Sequence, residues 1–176
     1  MHSIGTIDHI TALSLFSTTR EKVLEHRFIA EVGSCLWARG IFDFSVSHTE
    51  VDNSGYDVII EVGPVIRHIQ LKAARANGKT SYVSIQNRLT DKPSGCVVWL
   101  IHDAASLAIE KLLWFGGAAG HPLPDLGGKF AKQAKPNMQG NKAEKPAHRK
   151  LAKGKFDKIA SWPALAEVLF GLTTIA

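Results

Sequence analysis

Two runs rich in β-branched residues, Val58–Val62 and Val65–Leu71, flank the dipeptide Gly63-Pro64. That pattern predicts a β-hairpin closed by a two-residue turn. Gly63 would take the positive φ of a type II′ turn, and Pro64 the negative φ that follows it. The turn fixes the register: Val62 opposes Val65, Glu61 opposes Ile66, Ile59 opposes His68 and Asp57 opposes Gln70. Alternation then puts Val58, Ile60, Val62, Val65, Ile69, Leu71 and Tyr56 on one apolar face, together with Arg67. Asp57, Gln70 and Lys72 fall on the other face, with His68 and Glu61 nearer the turn. A solvated hairpin face has the same alternation, but Ile59 and Ile66 among these residues favour a shielded polar pocket.

Upstream, Ser17-Thr18-Thr19 with Glu21 has capping-box spacing and predicts a helix running to about Arg39 and ending at Gly40. At about 100° per residue, Leu24, Phe28, Ile29, Val32, Cys35 and Leu36 form its apolar stripe. Glu25 falls within the stripe and Glu31 at its edge. A carboxylate in that position needs a partner or a metal, because burying it unpaired is costly. Either a functional acid or a boundary residue reaching for water or a neighbouring Arg fits Glu25, with Glu31 as runner-up. Glu21 reads as a first-turn acid.

Residues 1–16 show no clean period and read as an arm or edge element. Ile41–His48 predicts a strand, and Thr49–Gly55 a turn in which Asp52 is either an Asx-turn residue or an outer ligand. Ala73–Thr80 reads as a polar connection, Thr80–Leu89 as a short helix, and Cys96–Ile101 as a central strand covered on both faces. Asp103–Leu113 reads as a helix, and Trp114–Gly128 as a Gly- and Pro-rich loop in which Trp114 and Phe115 either anchor the loop or stack on bases. Ser161-Trp162-Pro163 opens a last amphipathic helix through Phe170.

Charge sharpens this picture. From Lys129 to Lys158 there are ten Lys or Arg and two acids, a net +8, while the rest of the chain carries eleven against fourteen, a net −3. The basic excess is local, the usual footprint for a polyanion, and predicts an extended segment contacting phosphates. Lys129, Lys132, Lys135, Arg149 and Lys150 are its candidate contacts, unless the segment is a charged linker. Two cysteines in apolar runs, Cys35 and Cys96, read as free thiols of a reducing compartment, and no apolar run is long enough to span a bilayer. A cytoplasmic location is expected. No His-x₃-His or Cys-x₂-Cys pair suggests zinc, and no phosphate-cradling Gly-x₄-Gly-Lys-Ser/Thr motif is present.

Asp57 followed by Gln70-Leu71-Lys72 on the next strand resembles the catalytic signature of the PD-(D/E)xK nuclease superfamily, over roughly residues 18–103. The resemblance implies an α/β, restriction endonuclease-like core, with a central mixed β-sheet flanked by helices. That core would span 1–128, with a basic extended segment and a C-terminal helix over 129–176. It implies Mg²⁺, for which Mn²⁺ may stand in, held by Asp57, Gln70, the Leu71 carbonyl and a helix acid such as Glu25. Lys72 would assist the attacking water or steady the phosphate, and Gln86 and Arg88 on the following helix would be weak phosphate contacts. Tyr56 replaces the family's Pro. Gln70 replaces the commoner Asp or Glu, so a neutral carbonyl oxygen stands where a hard cation prefers a carboxylate. The expected activity is DNA cleavage, with a homodimer if both strands are cut. The alternative is a nuclease-fold protein that binds nucleic acid or a protein partner without cutting.

Overall fold

The computed structural model describes residues 7–48, 55–133 and 142–173. Its elements are α1 (His9–Leu15), α2 (Ser17–Ala38), β1 (Phe44–His48), β2 (Val58–Val62), β3 (Val65–Arg75), β4 (Tyr82–Gln86), β5 (Gly95–His102), β6 (Ile109–Gly116), β7 (Phe130–Lys132), β8 (Glu144–Ala152), β9 (Asp157–Ile159) and α3 (Trp162–Phe170). Six strands form a central sheet in the order β1-β2-β3-β5-β6-β9, and three form a second sheet in the order β4-β8-β7. The β3–β5 pair is parallel and the other pairs are antiparallel, so the central sheet is mixed. The molecule is α/β, with helices on one face of that sheet.

The helix face is held by the predicted stripe. Leu24, Phe28, Val32 and Leu36 of α2 are all buried, spaced one turn apart, and meet Val58, Ile60, Ile69, Val98 and Leu100 of the sheet and Leu165 and Leu169 of α3. Gly40 takes φ +74° just past the end of α2, as the sequence suggests. The capping box does not form. Thr18 already lies inside α2, which starts at Ser17 directly after α1, and Phe16 at the junction makes no side-chain cap. The helix α1 replaces the expected arm; Asp8 caps it by accepting from the Thr11 amide at 3.0 Å.

The opposite face of the central sheet carries the second sheet, where the sequence suggested helix and extended chain. Thr80–Leu89 is not a helix: Val83 and Ile85 alternate inward with period 2 as β4, and only Asn87–Asp91 winds into a 3₁₀ turn. Val83, Ile85 and Leu151 pack on Val97, Trp99 and Ile101, which makes this a second core. Asp103–Leu113 is not a helix either. The Asp103 carboxylate accepts from the Ala105 and Ser106 amides at 3.1 and 2.8 Å, an Asx-type turn that returns the chain as β6. Trp114 and Phe115, assigned above to a loop, are buried in β6. β3 runs through Arg75, into the expected connection. Where described, the basic segment is also folded: β7 and β8 pair with each other and β8 with β4, while β9 joins β6. Lysines permit this because in a one-sided antiparallel sheet they occupy the wet face. All eight residues of β5 are buried, matching the continuous apolar run.

Candidate active site

The hairpin has the register that its turn dictates, from Val62↔Val65 to Val58↔Ile69, and Gly63 takes φ +54°. Regular pairing ends at Val58. Asp57 sits in a bend, so it does not face Gln70 across a ladder as the extrapolated register implied. Its amide still donates to the Ile69 carbonyl at 2.9 Å, but its side chain takes over from the main chain. The Leu71 amide donates to Asp57 Oδ2 at 2.6 Å. β3 meanwhile continues to Arg75 in parallel register with β5. In a strand the N–H and C=O of one residue share an edge, so the Leu71 carbonyl also lies on the edge that β2 has left. A carboxylate and a backbone carbonyl thus meet where two strands part.

The bend also reverses Tyr56. It packs with the second core and stacks edge-on against His68 at 4.9 Å, not on the helix face with Val58. Gly55 precedes it at φ +81°, pressed against the end of β4. A Cβ at Gly55 would come within 2.9 Å of both Gln86 Oε1 and the Leu89 amide. The corner between β4 and its 3₁₀ turn therefore fixes the backbone two residues before Asp57.

A cavity of about 490 Å³ opens between the first turns of α2 and this parting. Glu21, Lys22 and Glu25 line it from the helix, and Asp57, Leu71 and Lys72 from the strands. Glu25, 8% exposed, lines it and Glu31 does not. The Glu25 carboxylate is matched by Lys22 Nζ at 2.9 and 3.1 Å and by His48 Nδ1 at 3.3 Å. Neither Lys22 nor His48 was singled out by sequence; Lys22 stands three residues before Glu25 on one helix face, a spacing that was legible.

Gln70 does not line this cavity. Ile69, Leu71 and Ala73 face the helices, so Gln70 faces the second sheet; Lys72, which alternation sets on the same side of β3, still borders the cavity. Gln70 is 7% exposed, and its Oε1 is buried with no hydrogen-bond partner among the described residues. The base of the hairpin is thus shielded, whereas Glu61 and Ile66 near the turn are exposed. His68, on the same face of the hairpin, is occupied: its Nδ1 lies 2.8 Å from the Pro93 carbonyl. Burial pushes its pKa down, with the Lys92 charge adding to the fall and the Pro93 bond opposing it.

Arg67 had no assigned role and is fully buried. Its guanidinium donates to the carbonyls of Leu169, Val168 (3.1 Å) and Gly117 (3.1 Å) and lies over the Trp114 ring at 5.3 Å. A cation on the last carbonyls of α3 complements the helix dipole. Burial lowers its pKa and raises that of its neighbour Cys96 to about 12, although the Arg67 charge opposes the second shift. Cys35 and Cys96 are both free.

Of the phosphate candidates, Arg88, Lys129, Lys132 and Lys150 are exposed. Gln86 is packed on Gly55, and Arg149 is held by the Pro146 carbonyl at 2.8 Å while stacked over Phe130 at 4.2 Å. Lys135 and Asp52 lie outside the described residues.

The donor set suits a hard divalent cation. Mg²⁺ usually takes one or two carboxylates with waters and substrate phosphates, and Asp57 and Glu25 supply two beside the Leu71 carbonyl. The orphaned Gln70 oxygen one residue away is an acceptor lacking a donor. Among the described residues no group of three or more His, Cys, Asp or Glu is placed to hold a metal ion. No helix among them is long and apolar enough to cross a membrane.

No family model matches the chain, and no curated protein matches it. Among solved structures it is similar to a bacterial homing endonuclease, I-Ssp6803I, with 20% identity over 65% of this chain and 81% of that one and a TM-score of 0.28. A TM-score of that size is too low to equate the two folds.

Proposed function

We propose that this protein is a metal-dependent nuclease that hydrolyses phosphodiester bonds in DNA, on the PD-(D/E)xK plan in its Gln-x-Lys form. The observation that carries the reading is the parting of β2 and β3. There the Asp57 carboxylate accepts the Leu71 amide, at a cavity shared with Lys72 and Glu25. Bound Mg²⁺, with Mn²⁺ as substitute, would polarise the phosphoryl oxygen and lower the pKa of a water. Asp57, Glu25 and the Leu71 carbonyl would hold it; Gln70, the remaining ligand of the motif, faces away from this cavity. Asp57 is oriented by the Leu71 amide, which donates to its Oδ2. The Lys72 ammonium stabilises charge that develops on the phosphate oxygens. The test is incubation of the purified chain with plasmid and with single-stranded DNA in Mg²⁺, in Mn²⁺ and in EDTA. Products that form only with metal support the reading; no products with either metal reject it.

A second reading has its own support. Gln70 stands off the cavity, and Lys22 already pairs with the Glu25 carboxylate, with His48 Nδ1 beside it. A protein that binds nucleic acid without cutting it would have such a site. Salt-sensitive DNA binding with no metal-dependent products favours this reading over the first.

A further inference from the structure

The second sheet has a face that the proposed chemistry does not use. Val83, Ile85 and Leu151 point into the core, so Tyr82, Ser84 and Gln86 of β4 and His148 and Lys150 of β8 lie on the outer side. Ala131 of β7 is 2% exposed and points inward, so its neighbour Lys132, paired with Glu144 of β8 beyond a register shift at Phe130, lies on the outer side as well. Tyr82 is 43% exposed, and Lys150 Nζ lies 3.8 Å from the centre of its ring. Among the described residues from 129 to 158, nine are Lys or Arg and two are acids, so this sheet and its flanks hold the molecule's positive charge. Among the described residues, Glu144 is the one acid on the outer face. The sheet is also mechanically next to the site, since Gln86 at the end of β4 abuts Gly55, two residues from Asp57.

We infer that the outer face of β4-β8-β7 is a platform for the phosphate backbone of duplex DNA, with Lys132 and Lys150 as contacts and Tyr82 as the ring that steadies Lys150. Charge complementarity identifies a polyanion. The treatment of the rings identifies a duplex. Platforms for single strands present aromatic faces on which bases stack, whereas Tyr82 here already carries an ammonium group on its face and Phe130 a guanidinium. Such a surface offers cations held in place, which contact phosphates without reading sequence and lose little side-chain freedom on binding. The inference rests on the nuclease reading for the identity of the polymer, and its binding test is independent of cleavage.

The experiment is fluorescence anisotropy of a short labelled DNA duplex with the full chain in EDTA, titrated over a range of NaCl. It compares the wild type with Lys132→Gln/Lys150→Gln and with Lys111→Gln, a neutralised exposed lysine on β6. The double variant is expected to bind at least about tenfold more weakly near 0.1 M salt, with a log–log salt slope shallower by about 2, roughly 0.9 per lost phosphate contact. Lys111→Gln is expected to bind as wild type. Wild-type affinity in the double variant overturns the platform, as does tighter binding to a single strand or an RNA duplex of equal length. If wild-type protein cuts DNA while the double variant binds normally, the platform fails and the nuclease reading stands. If duplex binding depends on both lysines but metal never yields products, the nuclease reading fails and the platform stands.

Discussion

Two buried polar side chains on the same strand, three residues apart, are treated in opposite ways. Arg67, toward the hairpin turn, is fully enclosed: its Nε and Nη2 close the C-terminal carbonyls of α3 and it covers Trp114, while Nη1 has no partner among the described residues. Gln70, toward the parting of the strands, is almost as enclosed, yet its side-chain oxygen has no donor. A buried unsatisfied acceptor costs about 1–3 kcal/mol. The Arg67 end of β3, where two guanidinium nitrogens are bonded, is therefore spent on stability, whereas the Gln70 side-chain oxygen has no donor among the described residues. Local imperfection of this kind concentrates where chemistry is done.

The sharpest way to break the comparison is to remove Arg67. Arg67→Ala leaves the carbonyls of Leu169, Val168 and Gly117 without their donor and a cavity beside Trp114. It is expected to cost about 3–5 kcal/mol in urea denaturation. A loss below about 1 kcal/mol would mean that this end of β3 is not structural. Gln70→Glu addresses the other end. Burying a carboxylate there should destabilise the metal-free protein by about 2–3 kcal/mol, and Mn²⁺ should restore part of that by mass action. A thermal melt in EDTA and in Mn²⁺ reads both effects; no metal-dependent recovery would separate Gln70 from the proposed ion. Gly55→Ala comes next. Its positive φ and the close Gln86 oxygen predict a loss of about 1–3 kcal/mol and a lower kcat with little change in KM, because Asp57 is displaced while the platform remains.

The smallest effect is a pH dependence. The His68 pKa is lowered in the folded protein, so on acidification the unfolded chain takes up a proton first. Stability contributed by neutral His68 is present above the unfolded value of about 6.5 and is lost as pH falls through it toward the folded value. The wild type is expected to lose more melting temperature between about pH 7 and pH 5 than His68→Gln does. Equal losses would remove His68 as the cause.

How much of this was legible follows from which physical rule was in control. The β2–β3 register was readable because period 2 and the Gly63-Pro64 turn leave one solution. Its extrapolation to Tyr56 failed because Asp57 leaves the ladder to accept a main-chain amide with its side chain, an exchange that no periodicity encodes. β4 was misread as helix although Val83 and Ile85 alternate, since five residues fit either period. β6 was lost behind the Asp103 turn. The lysines of β8 concealed a strand because local charge outweighed the single inward Leu151. Arg67 stood out in its apolar run, but its carbonyl partners lie 50 to 102 residues away, beyond any local pattern. The acid of α2 was narrowed only by packing: Glu25 and Glu31 both border the stripe, and only Glu25 reaches the cavity.

The central claim is that the parting of β2 and β3 does chemistry, and Asp57 tests it most directly. Cleavage of plasmid DNA by Asp57→Ala and, separately, Lys72→Ala should be compared with wild type in Mg²⁺ and in EDTA, with folding checked by circular dichroism. Loss of at least about 100-fold in metal-dependent rate from each folded variant is the predicted result. Undiminished metal-dependent cleavage by either one would contradict the assignment of the site.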